Sequence, residues 1–131
     1  MKRIFTLFFL LSISLFAFSQ EIEVEEEPVI WAEIMPEFPG GNNALRQYIA
    51  ENIVYPELAR ENDIQGTVYV RFVITQTGNI GEVQIVRAVD PLLDNEAVRV
   101  VKELPDFKPA SSKGKPVAIW YNVPIVFKIV Y

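Results

Sequence analysis

The stretch of residues 117–130, VAIWYNVPIVFKIV, decides the fold of this chain. Every second residue from 117 to 129 is apolar and the positions between them are mixed, as in a strand that buries one face. Pro124 lies inside this stretch. Because proline has no N–H to donate to a neighbouring strand, it is confined to sheet edges, strand starts and bulges. The sequence therefore predicts that the last strand, which begins near Val117, forms an edge of its sheet.

The remaining elements follow from hydrophobic spacing and from turn residues. Apolar residues at helical spacing predict a first helix that begins after a cap at Asn42 or Asn43 and breaks at Tyr55–Pro56. Two strands with alternating residues are joined by a turn at Gly78 and form a hairpin. A second helix starts at Asp90–Pro91. The predicted segments are a helix over 44–53, its restart after Pro56, strands over 67–75 and 82–89, a helix over 92–104 and a loop over 106–116.

The order helix, strand, strand, helix, strand limits the topology. The second and third strands are joined by a helix, so they are expected to run parallel with the first strand between them. Because each strand has only one strongly apolar face, one layer of helices is sufficient to cover the sheet. The predicted fold class is α+β: a two-layer sandwich whose three-stranded mixed sheet, with strand order 2-1-3, carries both helices on one face and is solvated on the other.

The first 19 residues have the layout of a secretory signal peptide. Lys2 and Arg3 precede an apolar run from Ile4 to Phe18, and small residues stand before a cleavage site after Ser19. The run of about 15 residues is shorter than the roughly 20 that a membrane-spanning helix needs, and an uncleaved membrane anchor is the alternative. The chain has no cysteine, so we do not expect a lipid-anchored lipoprotein.

Residues 20–41 are expected to form an acidic arm and a lead-in segment, and the folded domain is expected over residues 42–131. The arm is rich in glutamate and should be solvated. The lead-in is too apolar to be a free linker and should pack onto the domain. Its large apolar residues are Trp31, Ile34, Met35 and Phe38. Without the two basic residues of the signal peptide the chain has 10 basic and 17 acidic residues, and this net charge of −7 argues against binding to nucleic acid or anionic membranes.

Catalytic chemistry finds little support in the sequence. The chain has no histidine and no cysteine, which removes two common metal ligands and two common nucleophiles or bases. The carboxylates at the start of the second helix, Asp90, Asp94 and Glu96, are expected to accept hydrogen bonds from backbone N–H groups. We therefore expect no enzyme activity, no metal site and no cofactor.

Several short motifs stand in a fixed order between residues 55 and 129. They are Tyr55–Pro56, Gly66-x-Val68-x-Val70-x-Phe72, the Gly78 turn, Asp94-x-Glu96-Ala97, Phe107-x-Pro109 and Phe127-Lys128-Ile129. Each motif is weak alone, but together and at these spacings they resemble the C-terminal domain of the TonB energy-transducer family. Residues 35–56 also resemble the lead-in of one large branch of that family.

This resemblance implies a periplasmic domain that binds a short extended segment, the TonB box, of outer-membrane transporters in support of energised transport. The box adds a strand beside the last strand of the domain, which is β-augmentation. Carried over to this chain, the receptor edge runs over residues 121–129, and the chain before Tyr55–Pro56 flanks the incoming strand. The partner-binding residues are then Asn52, Ile53, Tyr55, Pro56, Tyr121, Asn122, Val123, Ile125, Phe127 and Ile129. Engagement of inner-membrane motor proteins is left open.

Pro124 leaves two interpretations of this edge open. Prolines at an edge also protect a sheet against unwanted pairing, so the edge is either a receptor or a blunted edge. Both hold if Pro124 faces away from the ladder of hydrogen bonds to the guest, and Val123 and Ile125 are then expected to pair outward. A handful of backbone hydrogen bonds, each contributing about 1 kcal/mol less the cost of ordering the peptide, predicts affinity on the order of micromolar or weaker.

Two alternatives to a secreted binding domain remain. Residues 20–54 are acidic, whereas a full transducer has a long proline-rich spacer, so binding transfers from the family more directly than force transmission does. One alternative is a short membrane-anchored transducer that keeps its first segment. The other is a structural module that forms a homodimer when its exposed strand pairs with its own copy.

Overall fold

The computed structural model describes residues 27–131. The predicted signal peptide, residues 1–19, and the acidic arm up to residue 26 lie outside the described residues. The helices are α1 (Asn42–Asn52), α2 (Glu57–Glu61) and α3 (Pro91–Lys102), and the strands are β1 (Gly66–Ile74), β2 (Ile80–Arg87), β3 (Ala110–Ser112), β4 (Lys115–Val117) and β5 (Ile119–Phe127). No helix in the described part is long and apolar enough to cross a membrane.

β1 is the central strand of a three-stranded sheet and pairs antiparallel with both of its neighbours. The order β2-β1-β5 confirms the predicted topology, with β2 and β5 parallel to each other and each at an edge. β1 and β5 pair along their full length, from Gly66 opposite Phe127 to Ile74 opposite Ile119. Pro124 therefore lies inside an edge strand, as the sequence predicts.

The predicted loop over residues 106–116 contains a second, two-stranded sheet that the sequence does not predict. β3 and β4 pair antiparallel, and the turn between them has positive φ at Lys113 (53°) and Gly114 (75°). Val117 pairs with Ala110 in this hairpin, so the last strand of the main sheet begins at Ile119 rather than near Val117. Strands of three residues are too short to show a recognisable alternation.

β5 ends at Phe127, before the predicted end of the receptor edge. Ile129 lies beyond the strand and is half-buried, and its amide donates to Oε1 of Gln65 at 2.8 Å. The strand that was expected to present residues 121–129 therefore presents residues 121–127. The last residues of the chain turn toward the loop before β1 instead of extending the edge.

One face of the main sheet forms the core with the helices. α3 packs against β1 and β2, and α1 and α2 pack against α3. The largest fully buried side chains include Phe72, Ile74, Leu93, Ile119 and Ile125. On the other face the Arg71 guanidinium lies over the Trp120 ring, 4.4 Å from its centroid, and donates to Gln84 at 2.8 Å. The two-layer α+β fold is confirmed, with one face covered and the other open.

The start of α1 differs from the prediction. α1 begins after Gly41, whose φ is 87°, and no side chain caps it. The predicted cap at Asn42 or Asn43 was therefore wrong, because Asn42 is already the first residue of the helix. The predicted break is confirmed: α1 ends at Asn52, and Pro56 stands just before α2 at the end of an extended link.

The start of α3 agrees with the prediction. The Asp90 carboxylate accepts a hydrogen bond from the N–H of Leu92 at 2.9 Å, and Pro91 is the first helical residue, where its missing N–H costs nothing. The Asp94 carboxylate accepts from the N–H of Val89 at 2.9 Å. Two of the three carboxylates at this helix start therefore satisfy backbone donors of their own segment.

The lead-in packs onto the domain through only part of its apolar residues. Ala32 and Phe38 are buried in the core. The exposed ones are Trp31, Ile34 and Met35. Antiparallel bridges fasten the segment to the chain at Lys108 and Ser111. The lead-in is therefore part of the same folded unit as the residues from 42 onward.

Gly78 holds the β1–β2 turn against the segment that follows α3. Its φ is 89°, and its carbonyl accepts a hydrogen bond from the N–H of Phe107 at 2.8 Å. A Cβ at position 78 would lie 1.9 Å from the carbonyl oxygen of Phe107, far inside contact distance. The turn therefore needs glycine both for its conformation and for the space around it.

Gly78→Ala is expected to lower the free energy of unfolding by about 3 kcal/mol or more, because positive φ is costly for alanine and the backbone at Phe107 must also move. Gly114→Ala is the matched control. Gly114 has a φ of 75°, but a Cβ there would meet no atom within 4 Å, so only the conformational cost of about 1–2 kcal/mol applies. Urea unfolding measures both. Equal losses would show that the contact with Phe107 does not constrain the turn.

Candidate functional site

The direction in which the backbone of β5 points decides what its edge can do. Val29 bridges the start of β5 in parallel orientation: its N–H donates to the carbonyl of Ala118, and the N–H of Trp120 donates to the Val29 carbonyl, both at 2.9 Å. The backbone groups of Trp120 therefore point away from β1. Because successive residues of a strand point their backbone groups to opposite sides, those of Val123 and Ile125 point toward β1. The prediction that Val123 and Ile125 pair outward was therefore wrong, because both residues pair with β1.

The same alternation directs the backbone groups of Asn122, Pro124 and Val126 outward. Among residues 27–131, no strand pairs along this outer side beyond the bridge at Val29. The side chains of Asn122, Pro124 and Val126 are exposed as well, Val126 by 61%. The open stretch offers two N–H donors, at Asn122 and Val126, and the carbonyls of all three residues. It is a short acceptor-rich edge.

A groove runs between α1 and this edge and has a volume of about 360 Å³. It is lined by Asn42, Leu45, Arg46, Ile49, Ala50 and Ile53 from the α1 side and by Tyr121, Asn122, Val123, Pro124 and Val126 from β5. Most of these side chains are apolar, and Arg46 is the one charged residue among them. The groove therefore combines unpaired backbone groups with an apolar wall, which is the combination that an added strand requires.

Aromatic and polar contacts place the start of α1 beside β5. The Tyr121 hydroxyl lies 3.4 Å from Oδ1 of Asn42. The Tyr121 ring packs against Phe72 and Phe107, with centroid distances of 5.8 and 5.7 Å. Tyr121 thus joins the core of the sheet to the first residue of the helix and supports one end of the groove.

Glu96 and Arg99 fasten the other end of α1. The Glu96 carboxylate accepts the N–H of Val54 at 2.6 Å and two hydrogen bonds from Arg99 at 2.6 and 2.8 Å. Arg99 also donates to the carbonyl of Asn52 at 3.0 Å and to the Glu103 carboxylate at 2.6 Å. The third carboxylate of the α3 start thus satisfies a backbone donor as predicted, but in the link after α1 rather than in its own helix.

The protonation of this cluster follows from its contacts. Burial would raise the pKa of the Glu96 carboxyl, but the hydrogen bonds from Arg99 and Val54 outweigh burial and hold this pKa below its ordinary value. The same pairing raises the pKa of Arg99. Because the pKa of Glu96 is lower in the folded chain than in the unfolded chain, its contribution to stability is present above the unfolded value and is lost as the pH falls through the folded value.

Residues 51–129 match the family model described as "Gram-negative bacterial TonB protein C-terminal". The chain belongs to this family. The resemblance drawn from the motifs between residues 55 and 129 is thereby confirmed.

Two TonB proteins of Pseudomonas aeruginosa, "Protein TonB" and "Protein tonB2", are each 36% identical to this chain over 76 residues. The first match covers 58% of this chain and 22% of the relative, and the second covers 57% and 28%. The match therefore spans less than a third of the length of each of these TonB proteins.

Solved TonB C-terminal domains show the same fold. The solution NMR structure of the P. aeruginosa TonB domain matches with a TM-score of 0.50 at 34% identity, over 60% of this chain and 79% of that chain. The NMR structure of a Helicobacter pylori TonB domain matches with a TM-score of 0.51 over 66% of this chain and 90% of that chain. At its 20% identity, the second likeness concerns the fold alone.

The groove of this TonB-family domain brings together four of the predicted partner-binding residues: Ile53, Tyr121, Asn122 and Val123. Asn52 lies next to them at the end of α1, where its side-chain amide donates to the carbonyl of Tyr48 at 2.8 Å. Ile53 and the first half of β5 therefore line the same groove, with Tyr121 beside Asn42 at the start of α1 and Ile53 just after the end of α1.

Tyr55 and Pro56 lie away from this surface. The Tyr55 hydroxyl donates to the carbonyl of Ile64, and its ring packs edge-on against Phe127, with centroids 5.7 Å apart. Burial raises the pKa of the Tyr55 hydroxyl. Pro56 precedes α2. Tyr55 therefore holds the chain between α1 and β1 against the end of β5.

The remaining predicted residues face the domain itself. Ile125 and Phe127 are buried in the core, and their backbone groups share the inward direction of β5. Ile129 stands outside the strand. The structure adds lining residues that the sequence reasoning missed: Leu45, Arg46, Ile49, Ala50 and Val126. The apolar face of α1 was interpreted only as core, and nothing in the sequence indicates that part of this face lies beside an open edge.

Glu96→Gln is expected to lower the free energy of unfolding by about 1–3 kcal/mol at pH 7, because its charge-assisted hydrogen bonds to Arg99 and Val54 weaken. The difference from the wild type should shrink as the pH falls below the ordinary glutamate value and through the lower pKa that Glu96 has in the folded chain, because protonation then removes the charge from the wild type as well. Denaturant unfolding at several pH values measures it.

The matched control is Glu103→Gln, which removes the charge of the other Arg99 partner. The Glu103 side chain is 63% exposed, so the change should cost less than about 1 kcal/mol. A loss for Glu96→Gln that stays constant with pH would contradict the ionic origin of the effect.

Proposed function

We propose that this chain is a periplasmic binding domain that captures an extended segment, the TonB box, of outer-membrane transporters by β-augmentation, in support of energised transport. The observation that carries the proposal is the outward-facing edge of β5 beside an apolar groove. A guest strand laid along this edge pairs with backbone groups of Asn122, Pro124 and Val126, and it turns alternate side chains toward α1.

The groove recognises a guest strand through its shape and through apolar contacts, and not through a reaction with the guest. Leu45 and Ile49 on α1, and Ile53 directly after it, are spaced four residues apart and all line the groove. No cluster of three or more potential metal ligands occurs within residues 27–131. We propose a binding role because the lining of the groove is mostly apolar. The few outward donors favour an affinity on the order of micromolar or weaker.

A short membrane-anchored transducer that transmits force is the alternative to a free binding domain. The chain belongs to the family of the TonB C-terminal domain. Its match covers 22% and 28% of the length of the two P. aeruginosa relatives, so most of each relative has no counterpart in the match. Coupling to inner-membrane motor proteins requires an attachment before the domain, which a retained first segment of residues 1–19 would provide. Secretion with cleavage after Ser19 gives a binding domain free in the periplasm. Mass spectrometry of the mature chain distinguishes the two, since cleavage leaves Gln20 at the start.

Peptides taken from the plug-proximal N-terminal segments of outer-membrane transporters should shift the backbone amide resonances of residues 120–127 and of the α1 face in NMR titrations. Ala50→Trp should weaken this binding about tenfold or more, because the indole fills the groove at an exposed lining position. Binding that leaves residues 120–127 unperturbed would refute the proposal.

Gln47→Trp is the matched control for the groove. Gln47 lies on the same helix, is exposed, and donates to Glu51 at 3.0 Å instead of lining the groove. Its replacement should leave peptide affinity within about twofold of the wild type. Sedimentation at micromolar concentration tests the homodimer alternative in the same preparation, and a strict monomer rejects it.

A further inference from the structure

Pro124 makes the edge of β5 irregular at its centre. Its backbone points away from β1, so the N–H that it lacks is one that would face a guest strand. Outward donors along residues 121–127 remain only at Asn122 and Val126. Building on the proposed function, we infer that Pro124 sets the selectivity of the edge. It disfavours a regular strand, including a second copy of β5. It admits a guest that makes its backbone hydrogen bonds to Asn122 and Val126, on the two sides of the proline.

A regular strand laid on β5 would direct one carbonyl at residue 124. At that position it meets the ring carbon bonded to the proline nitrogen instead of an amide hydrogen. The guest carbonyl must then hydrogen-bond to water instead of to β5, or the guest must bend away from β5. Either outcome reduces the affinity. A segment that already bends at this point keeps its bonds to Asn122 and Val126, so it is discriminated from a straight strand.

A second copy of the chain is the most abundant competing strand in any solution of this protein. Two β5 edges paired about a twofold axis through residue 124 would set one proline against the other, so both copies would lack a donor at the centre of the contact. The bridge to Val29 also occupies the N–H of Trp120 and shortens the open edge from the other side. The edge is thereby protected from its own copy while Asn122 and Val126 stay available.

The groove extends past Pro124 in both directions and supplies the contacts that the backbone does not. Tyr121 and Asn42 line it on one side of the proline, and Val126 and Ile53 line it on the other. A bent guest therefore finds one donor and one stretch of groove on each side of residue 124. This arrangement explains how an edge that is deficient in donors still serves as a receptor.

The test uses the chain as secreted and a nine-residue probe of alternating Thr and Val, Lys-Thr-Val-Thr-Val-Thr-Val-Thr-Lys, acetylated and amidated. Pro124→Ala restores the missing donor and should raise affinity for this regular probe about fivefold, as expected for one net hydrogen bond. The variant should also dimerise at a lower concentration than the wild type in sedimentation. NMR titration confirms that the probe binds at residues 120–127, and binding is measured below the dimerisation range.

A matched pair isolates the N–H from the side chain at the next outward position. Val126→Pro removes the second outward donor and should weaken probe binding about fivefold, whereas Val126→Ala keeps the N–H and should weaken it less. Probe binding at the edge that is equal in the wild type, Pro124→Ala and Val126→Pro overturns the inference and leaves the proposed function standing. Dimerisation of Pro124→Ala without any gain for the probe also overturns it. No binding of the probe or of transporter peptides at residues 120–127 in any variant overturns both.

Discussion

β5 can satisfy only half of its backbone hydrogen bonds against β1, because alternate residues of a strand point their N–H and C=O groups to opposite sides. Everything at the candidate site depends on this constraint. β1 lies at the centre of the sheet and takes the inward half of β5 along its whole length. The outward half stays open from Asn122 to Val126, because within residues 27–131 only Val29 pairs with it, and only at its start.

The open edge becomes a groove only because α1 stands at a fixed distance from it. The contacts of Tyr121 with Asn42 and with two core aromatic rings define one end, and the pairing of Arg99 with Glu96 and Asn52 defines the other. These fastenings belong to different elements of the chain. The width of the groove is therefore a property of the whole domain, and a substitution in α3 can alter the groove although α3 does not line it.

Much of the fold could be predicted from the sequence, and less of the site. The alternation in β1 and β5, the helix between the second and third main strands, and Pro124 together fix the strand order and identify β5 as an edge. The short β3–β4 hairpin has no periodic pattern in the sequence and was not predicted. It includes Val117, so the last strand begins at Ile119 and not near Val117. The direction of each backbone group in β5 depends on a hydrogen bond from Trp120 to a distant residue, Val29, and no local pattern reports it.

The attachment of the lead-in has a mechanical consequence. Val29 is held to β5 by two backbone hydrogen bonds, while Ala32, a few residues further on, is buried in the core. Traction on the polypeptide from the side of residue 27 would load these two bonds first and peel them one at a time, before the buried anchor carries any strain. Release of Val29 would free the N–H of Trp120 and lengthen the open edge toward its start, so tension on the chain before residue 29 and the length of the open edge are linked through Val29.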